Sequence, residues 1–419
     1  MRDLYFEILK EELVPALGCT DPIAVAYCSA KAREVLGEFP DSIEVTSSSN
    51  IIKNVKGAIV PGTKNLKGIE TAAILGAIVG AAEKKLELLS QVDDKDIELL
   101  KQLLSQNICV TFHEEDMGNL YIKVIAKKER SEAEVVIANG YTNIVSISKN
   151  GQTIFKEENH NTSLNKQINY DFLTVRGIYD YIVSVDTSIL KELLDGQIKM
   201  NSAIVEAGLE NDFGANVGKV LINNYGQDVK NLARAYAAAG SDARMGGCSM
   251  PVVINSGSGN QGLTASIPVI TYARYLKVSE EKLYRALALS NLIAIHIKSD
   301  IGRLSAFCGA VSAACGSGAA IAYLNDESVE VIEMTITNVM ANTSGIVCDG
   351  AKASCAAKIA SSVDAAIMGY HMASEGNTFE SGDGLVKENV ESTIASVGRM
   401  AKRGMVETDK EILKIMLEN

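Results

Sequence analysis

Four cysteines in the second half of the chain form two pairs with one spacing: Cys308 and Cys315 in FCGAVSAACGSG, and Cys348 and Cys355 in GIVCDGAKASCAAK. Thiolates ligate soft metals and iron-sulfur clusters, so the spacing can be tested against geometry. Seven residues of straight helix make two turns and about 10 Å of rise, which puts both thiols on one face but too far apart to share one metal ion. A bend is available at Cys348, which Gly345 and Gly350 flank and which reads as part of a loop leading into the helix of Cys355. A cluster relaxes the demand further, because its ligands stand several ångströms apart. The competing reading is that these are small buried hydrophobes, since none shows the C-x-x-C spacing of a zinc ribbon or a ferredoxin run. From the pattern alone both readings stay open.

A fifth thiol, Cys19, lies in LGCTDP between two helical stretches, with Asp21 and Pro22 suited to the N-cap and first position of the second helix. A thiol just ahead of a helix start is expected to have a lowered pKa, because unpaired N–H groups and the helix dipole favour the thiolate. The alternative is that Cys19 only fills a tight turn. In NSGSGNQGLTAS a Gly-rich loop opens a helix, an arrangement that favours an anion, and Ser258, Asn260 and Gln261 are the candidates to hold a carboxylate there. It also reads as a plain Gly-Ser connection. Similarly, Asn50, Lys53 and Asn54 in SSSNIIKN are candidate carboxylate partners, while Ser47 to Ser49 can simply end a strand. Lys298 and Arg303, just before Cys308, either balance a negative cluster or mark a solvated helix end. His113, His160, His296 and His371 show no H-x-x-H spacing, and HEEDMGN reads as a solvated loop after a strand.

With 419 residues and 47% hydrophobic content the chain has material for two to three domain-sized units. A net charge of -12 and the lack of a basic cluster interleaved with aromatics argue against nucleic acid and anionic membranes as partners. Eight cysteines are too few for a disulfide scaffold, and the charged start MRDLYFEILKEEL lacks the apolar run of a signal peptide. Reduced thiols and a cytoplasmic location are expected. TAAILGAIVGAA (71 to 82) is too short to span a bilayer, and the uncharged run from Leu304 to Leu324 is built of Ala, Gly, Ser and Cys, which suits close helix packing.

The positioning elements follow from periodicity. Residues 1 to 36 read as helical, with Gly18 able to cap the first helix. IEVTSSS, ICVTF, LYIKVIA, AEVVIA and NIVSIS read as strands around helices near 69 to 90 and 94 to 105, with Asn150 and Gly151 forming a hairpin turn. Helical runs are expected over 198–209, 228–240, 262–276, 279–297, 303–323, 328–342, 351–373, 387–400 and 408–418, the last from a capping box at Thr408 and Glu411. The expected fold class is α+β. An all-α catalytic domain rich in small residues (1–36 and 196–419) carries an inserted α/β sandwich domain (37–195) on a largely antiparallel sheet.

The segments PALGCTDPIAVAYC, SSSNIIKNVKGAIVPGT, GSGNQGLTASIPV, IKSDIGRLSAFCGAVSAACG and GIVCDGAKASCAAK together resemble the L-cysteine desulfidases, relatives of the alpha-chain domain of iron-sulfur L-serine dehydratases. The resemblance covers nearly the whole chain. It implies a 4Fe-4S cluster held by Cys308, Cys348 and Cys355, with one iron left without a protein ligand and Cys315 the first rival for a ligand role. It assigns proton transfer to Cys19. The implied reaction is β-elimination of L-cysteine to pyruvate, ammonia and sulfide. The near alternative is L-serine dehydratase, whose last two ligands are spaced more widely than the seven residues here. Two other classes remain: a pyridoxal-phosphate enzyme using SGSGNQG as phosphate cradle, and a redox sensor or electron carrier in which Cys315 or Cys248 completes a four-thiolate cluster. The expected partner is a small amino acid, with homo-oligomer formation left open.

Overall fold

The computed structural model describes residues 2–114, 120–157, 170–302 and 305–418. Chain order begins with α1 (Arg2–Glu12), β1 (Pro15–Leu17), α2 (Thr20–Leu36), β2 (Ser42–Ser48), α3 (Ser49–Lys56), α4 (Ile69–Val79), a 3-10 stretch (Ala82–Gln91) and α5 (Asp94–Ser105). Five strands follow: β3 (Cys109–Glu114), β4 (Tyr121–Lys128), β5 (Ser131–Ala138), β6 (Ile144–Lys149) and β7 (Gln152–Lys156). The remainder is helical apart from β8 (Pro251–Val253). It comprises α6 (Val175–Ser184), α7 (Ser188–Glu210), α8 (Val217–Tyr225), α9 (Val229–Met245), α10 (Gly259–Leu276), α11 (Glu280–Ile301), α12 (Gly309–Leu324), α13 (Val329–Thr343), α14 (Cys355–Ser374), α15 (Val390–Arg399) and α16 (Val406–Leu417). The fold is α+β, as expected.

The six-stranded sheet has the order β3-β2-β4-β5-β6-β7, antiparallel throughout except for the parallel pair β2 and β3. That pair needs a crossover, which α3, α4 and α5 supply. The β6–β7 hairpin turns at Asn150 and Gly151, both at positive φ (53° and 77°), as their residue types predict. One face of the sheet packs on α2, where the Cys28 thiol reaches the Val135 carbonyl at 3.3 Å.

In the helical part α12 lies between α10, α11, α13 and α14 and is buried along nearly its whole length. Its alanines, serines and glycines let four neighbours close around one helix. Among the described residues no helix is both long and apolar enough to cross a membrane.

Several local expectations are corrected. The N-cap of α2 is Cys19, two residues ahead of Asp21, and α16 begins at Val406 with no side-chain cap, so Thr408 and Glu411 form no capping box. α12 starts at Gly309, which makes Cys308 its N-cap and places it outside the helix. α8 and the short antiparallel pair β1–β8 were not anticipated. That pair sets the register Pro15↔Val253, Ala16↔Val252, Leu17↔Pro251 and so holds the turn after β1 against the loop after β8.

α9 also anchors α8: Asp242 Oδ2 accepts from the Gly218 N–H at 3.0 Å, while Oδ1 is buried with no hydrogen-bond partner among the described residues. Burial raises the Asp242 pKa to about 6, against backbone hydrogen bonds that lower it. The unfolded carboxyl ionises near 4, so the folded state holds the extra proton between the two values. The Asp242 contribution to stability is therefore full below pH ~4 and is lost as pH rises to about 6. Denaturant unfolding at pH 4 and pH 7 is expected to show wild type losing on the order of 1–2 kcal/mol relative to Asp242→Asn. An equal response of the two proteins contradicts this.

Candidate active site

Gly18 turns the chain from β1 into α2 with φ +43°, and a Cβ there would meet Pro61 Cγ at 2.2 Å. Gly18→Ala is expected to cost about 2 kcal/mol or more in thermal or denaturant unfolding, from the positive φ and the clash together. The next residue, Cys19, is 3% exposed and directs its thiol at Asp21 Oδ2, 3.6 Å away. Asp21 Oδ1 accepts from Asn54 Nδ2 at 3.1 Å and from the Tyr141 hydroxyl at 3.5 Å. The Thr20 hydroxyl donates to the Gly257 carbonyl at 2.8 Å, fastening this turn to the Gly-rich loop.

The expected lowering of the Cys19 pKa is corrected. Burial, followed by the Asp21 carboxylate, pushes it far up, outweighing the nearby Arg244 and the helix start. Cys19 therefore rests as a thiol. Asp21 is raised as well, by burial, against its hydrogen bonds from Asn54 and Cys19.

Cys308 and Cys348 are brought together by a short antiparallel link. Phe307 bridges Val347, the Cys308 N–H donates to the Ile346 carbonyl at 3.1 Å, and the Cys348 N–H donates to the Ala306 carbonyl at 2.6 Å. Alternation along such a link puts Cys308 and Cys348 on one face. Cys355 is the first residue of α14, with its thiol 3.7 Å from the Gly350 carbonyl. Burial and then the neighbouring Cys348 push Cys308 up to about 12, and Cys355 is raised by burial with Cys348 adding to it. These mutual effects place the three sulfurs within electrostatic reach of one another.

Among the described residues no three His, Cys, Asp or Glu side chains close around a single metal ion. A cluster with separate iron corners suits this looser set of thiols better than one ion does. The surroundings fit an anionic group. Cys308 and Cys355 sit at helix starts, and the buried Lys298 in the last turn of α11 feels both Cys348 and Cys308, with burial lowering its pKa to about 8. Arg303 lies outside the described residues.

One cavity of about 110 Å³ is lined by Cys19, Asn50, Lys53, Asn54, Ser258, Asn260, Gln261, Cys308, Cys348 and Cys355, which brings together the implied proton-transfer residue, the three implied cluster ligands and the carboxylate-binding candidates named from the sequence. That volume is small beside the several hundred Å³ of a pocket for a drug-sized ligand. The starts of α2, α3, α10, α12 and α14 all contribute to its wall. Lys53 is 2% exposed and already ion-paired with Asp409 of α16, so its charge is committed. β2 ends at Ser48, as the strand-end reading of SSSNIIKN expects, and α3 carries Asn50, Lys53 and Asn54 to the cavity wall.

Sequence reasoning missed Arg244 and Tyr141, which also line the cavity. The available signal was a lone Arg closing the alanine-rich run AAAGSDARMGG ahead of two glycines. Cys315 and Cys248 are not on the cavity wall, which counts against a closed four-thiolate cluster there. His296 is engaged by Glu391 at 2.8 Å and His113 by Ser49 at 2.8 Å; residues 115 to 119 of HEEDMGN and His160 lie outside the described residues.

Thiols, buried cations and convergent helix starts surround this small chamber, and comparison with known proteins points to an enzyme of the lyase type. The family model of the serine dehydratase alpha chain matches residues 83–414, and the chain belongs to that family. Similar proteins include a "UPF0597 protein" of Lachnoclostridium phytofermentans, 54% identical over 98% of this chain and 98% of its own length. Others are those of Desulfitobacterium hafniense (52% identical, 99% and 96%) and Finegoldia magna (48% identical, 99% of each).

Proposed function

We propose that this protein is an L-cysteine desulfidase, a β-eliminating carbon–sulfur lyase that forms pyruvate, ammonia and sulfide. The observation that carries this reading is the shared cavity, in which Cys19 faces the chamber that Cys308, Cys348 and Cys355 also line. Those three cysteines would hold a 4Fe-4S cluster, which when bound supplies an iron lacking a protein thiolate as a Lewis acid for the substrate sulfur.

The chain's own residues manage the protons. Cys19 rests protonated with its S–H directed at Asp21 Oδ2, the acceptor in place for that proton. The resulting thiolate, facing the Arg244 guanidinium, takes the substrate's α-proton. The Cα–H electron pair becomes the Cα=Cβ bond as Cβ–S breaks, and sulfide leaves. The 2-aminoacrylate tautomerises and is hydrolysed to pyruvate and ammonia. Burial keeps bulk water away from this transfer, since Cys19 and Asp21 are 3% and 5% exposed. A reducing cytoplasm would keep all eight free thiols in the form this chemistry uses.

Anaerobic reconstitution with iron and sulfide, followed by assay of sulfide and pyruvate from L-cysteine, tests the proposal. Equimolar products support it; a fully loaded protein giving neither overturns it. The family match favours one second reading, L-serine dehydration with hydroxide as leaving group. A higher kcat/KM for L-serine than for L-cysteine in the same preparation would establish that reading instead.

A further inference from the structure

Arg244, in the last turn of α9, has 2% of its surface exposed, yet among the described residues its Nε has no hydrogen-bond partner. Its NH1 reaches only Met245 Sδ, at 3.9 Å. A buried, unpaired guanidinium is costly, and such a group is retained where an anion completes it. The side chain lies against the first residue of α10: a Cβ on Gly259 would stand 2.3 Å from Arg244 Nε, so only glycine leaves the guanidinium room. The first-turn N–H groups of α10 have no intrahelical acceptors and point outward from the same spot. Arg244 also feels the charges of Cys19, Asp21 and Cys355, which places it among the reacting groups.

The other buried cations are less suited to this task. Lys53 is committed to Asp409, and Lys298 lies by Cys308 and Cys348. Among the described residues, Asn50 Oδ1 and Gln261 Oε1 are buried in the cavity wall without partners and are available to N–H donors.

We propose that Arg244 and the first turn of α10 bind the substrate carboxylate while Asn50 Oδ1 and Gln261 Oε1 accept from its ammonium group, so that the cavity selects α-amino acids as zwitterions. This deepens the lyase reading and rests on it for the third attachment, the β-substituent at the thiol wall. Three attachments from different walls also discriminate between enantiomers, because exchanging two substituents misplaces the third. An amine without a carboxylate leaves Arg244 unpaired; a carboxylic acid without an amine leaves Asn50 Oδ1 and Gln261 Oε1 without a donor.

The test is binding, measured calorimetrically on the anaerobically reconstituted protein with L-alanine, which carries both charged groups and no leaving group. Ethylamine and propionate are the comparison ligands. L-Alanine is expected to bind at least about 10-fold more tightly than either, given what charged hydrogen bonds contribute. Arg244→Gln is expected to weaken L-alanine by roughly 10- to 100-fold while leaving ethylamine unchanged, with Arg244→Lys intermediate. The KM for L-cysteine should rise in step. L-Alanine binding no tighter than propionate or ethylamine, or binding untouched by Arg244→Gln, overturns the proposal. If the glutamine variant does not fold, the wild-type ligand series decides alone. Failure of the desulfidase reading looks different: L-alanine still binds selectively, but L-cysteine yields neither sulfide nor pyruvate.

Discussion

Cys348→Ser protein, reconstituted anaerobically, is expected to lose the visible absorbance of an iron-sulfur cluster and its sulfide release together, both falling to background. Cys308→Ser and Cys355→Ser should behave alike, because each removes one of the three thiols on the shared wall and a hydroxyl is a poor ligand for soft iron. The control is Cys315→Ser. Cys315 is fully buried in α12 and off the cavity wall, so this variant should keep cluster and turnover even if it melts lower. Iron and acid-labile sulfide per chain, measured beside activity, check the prediction. Cluster loss in Cys315→Ser alone would move the ligand set away from the cavity and revive the closed four-thiolate reading.

Cys19→Ser gives the second large effect, with the opposite signature: iron and sulfide content unchanged, but kcat lowered by about 10²- to 10⁴-fold, the usual share of a positioned acid–base group. Serine keeps the size and the contact with Asp21, but its hydroxyl is far harder to ionise than a thiol. Single-turnover measurement on loaded protein with α-deuterated L-cysteine is the decisive form. Slowed chemistry with an isotope effect that remains or grows supports proton transfer at Cys19; undiminished turnover removes Cys19 from the reaction.

The larger elements were legible because they are periodic. β4 and β5 alternate visibly, and the Asn150-Gly151 turn fixes its hairpin by residue type alone. β1 and β8 were hidden because three residues are too few to show a period, and their pairing is a property of two distant segments. The start of α12 was misplaced for another reason: its N-cap makes no side-chain hydrogen bond, so the uncharged run carries no local stop signal.

The candidate site divides along the same line. The thiols and the Gly-rich loop announce themselves by composition, and the resemblance joined them into one set. Arg244 does not, since an arginine at a helix end ordinarily faces water and only the packing of α10 over α9 buries it. The Cys19 pKa went the wrong way for a related reason. The helix start is visible in the sequence, whereas the burial that overrides it is tertiary.

The convergence of α2, α3, α10, α12 and α14 on a single chamber has a consequence for the lifetime of the chain. Positive helix ends crowd together there beside Arg244 and Lys298, although the molecule as a whole carries a charge of -12. Whatever anion occupies that space cements the surrounding segments, because binding the folded form alone shifts the unfolding balance by mass action. Under the proposed cluster reading, iron supply governs how long each copy survives proteolysis as well as how fast it works.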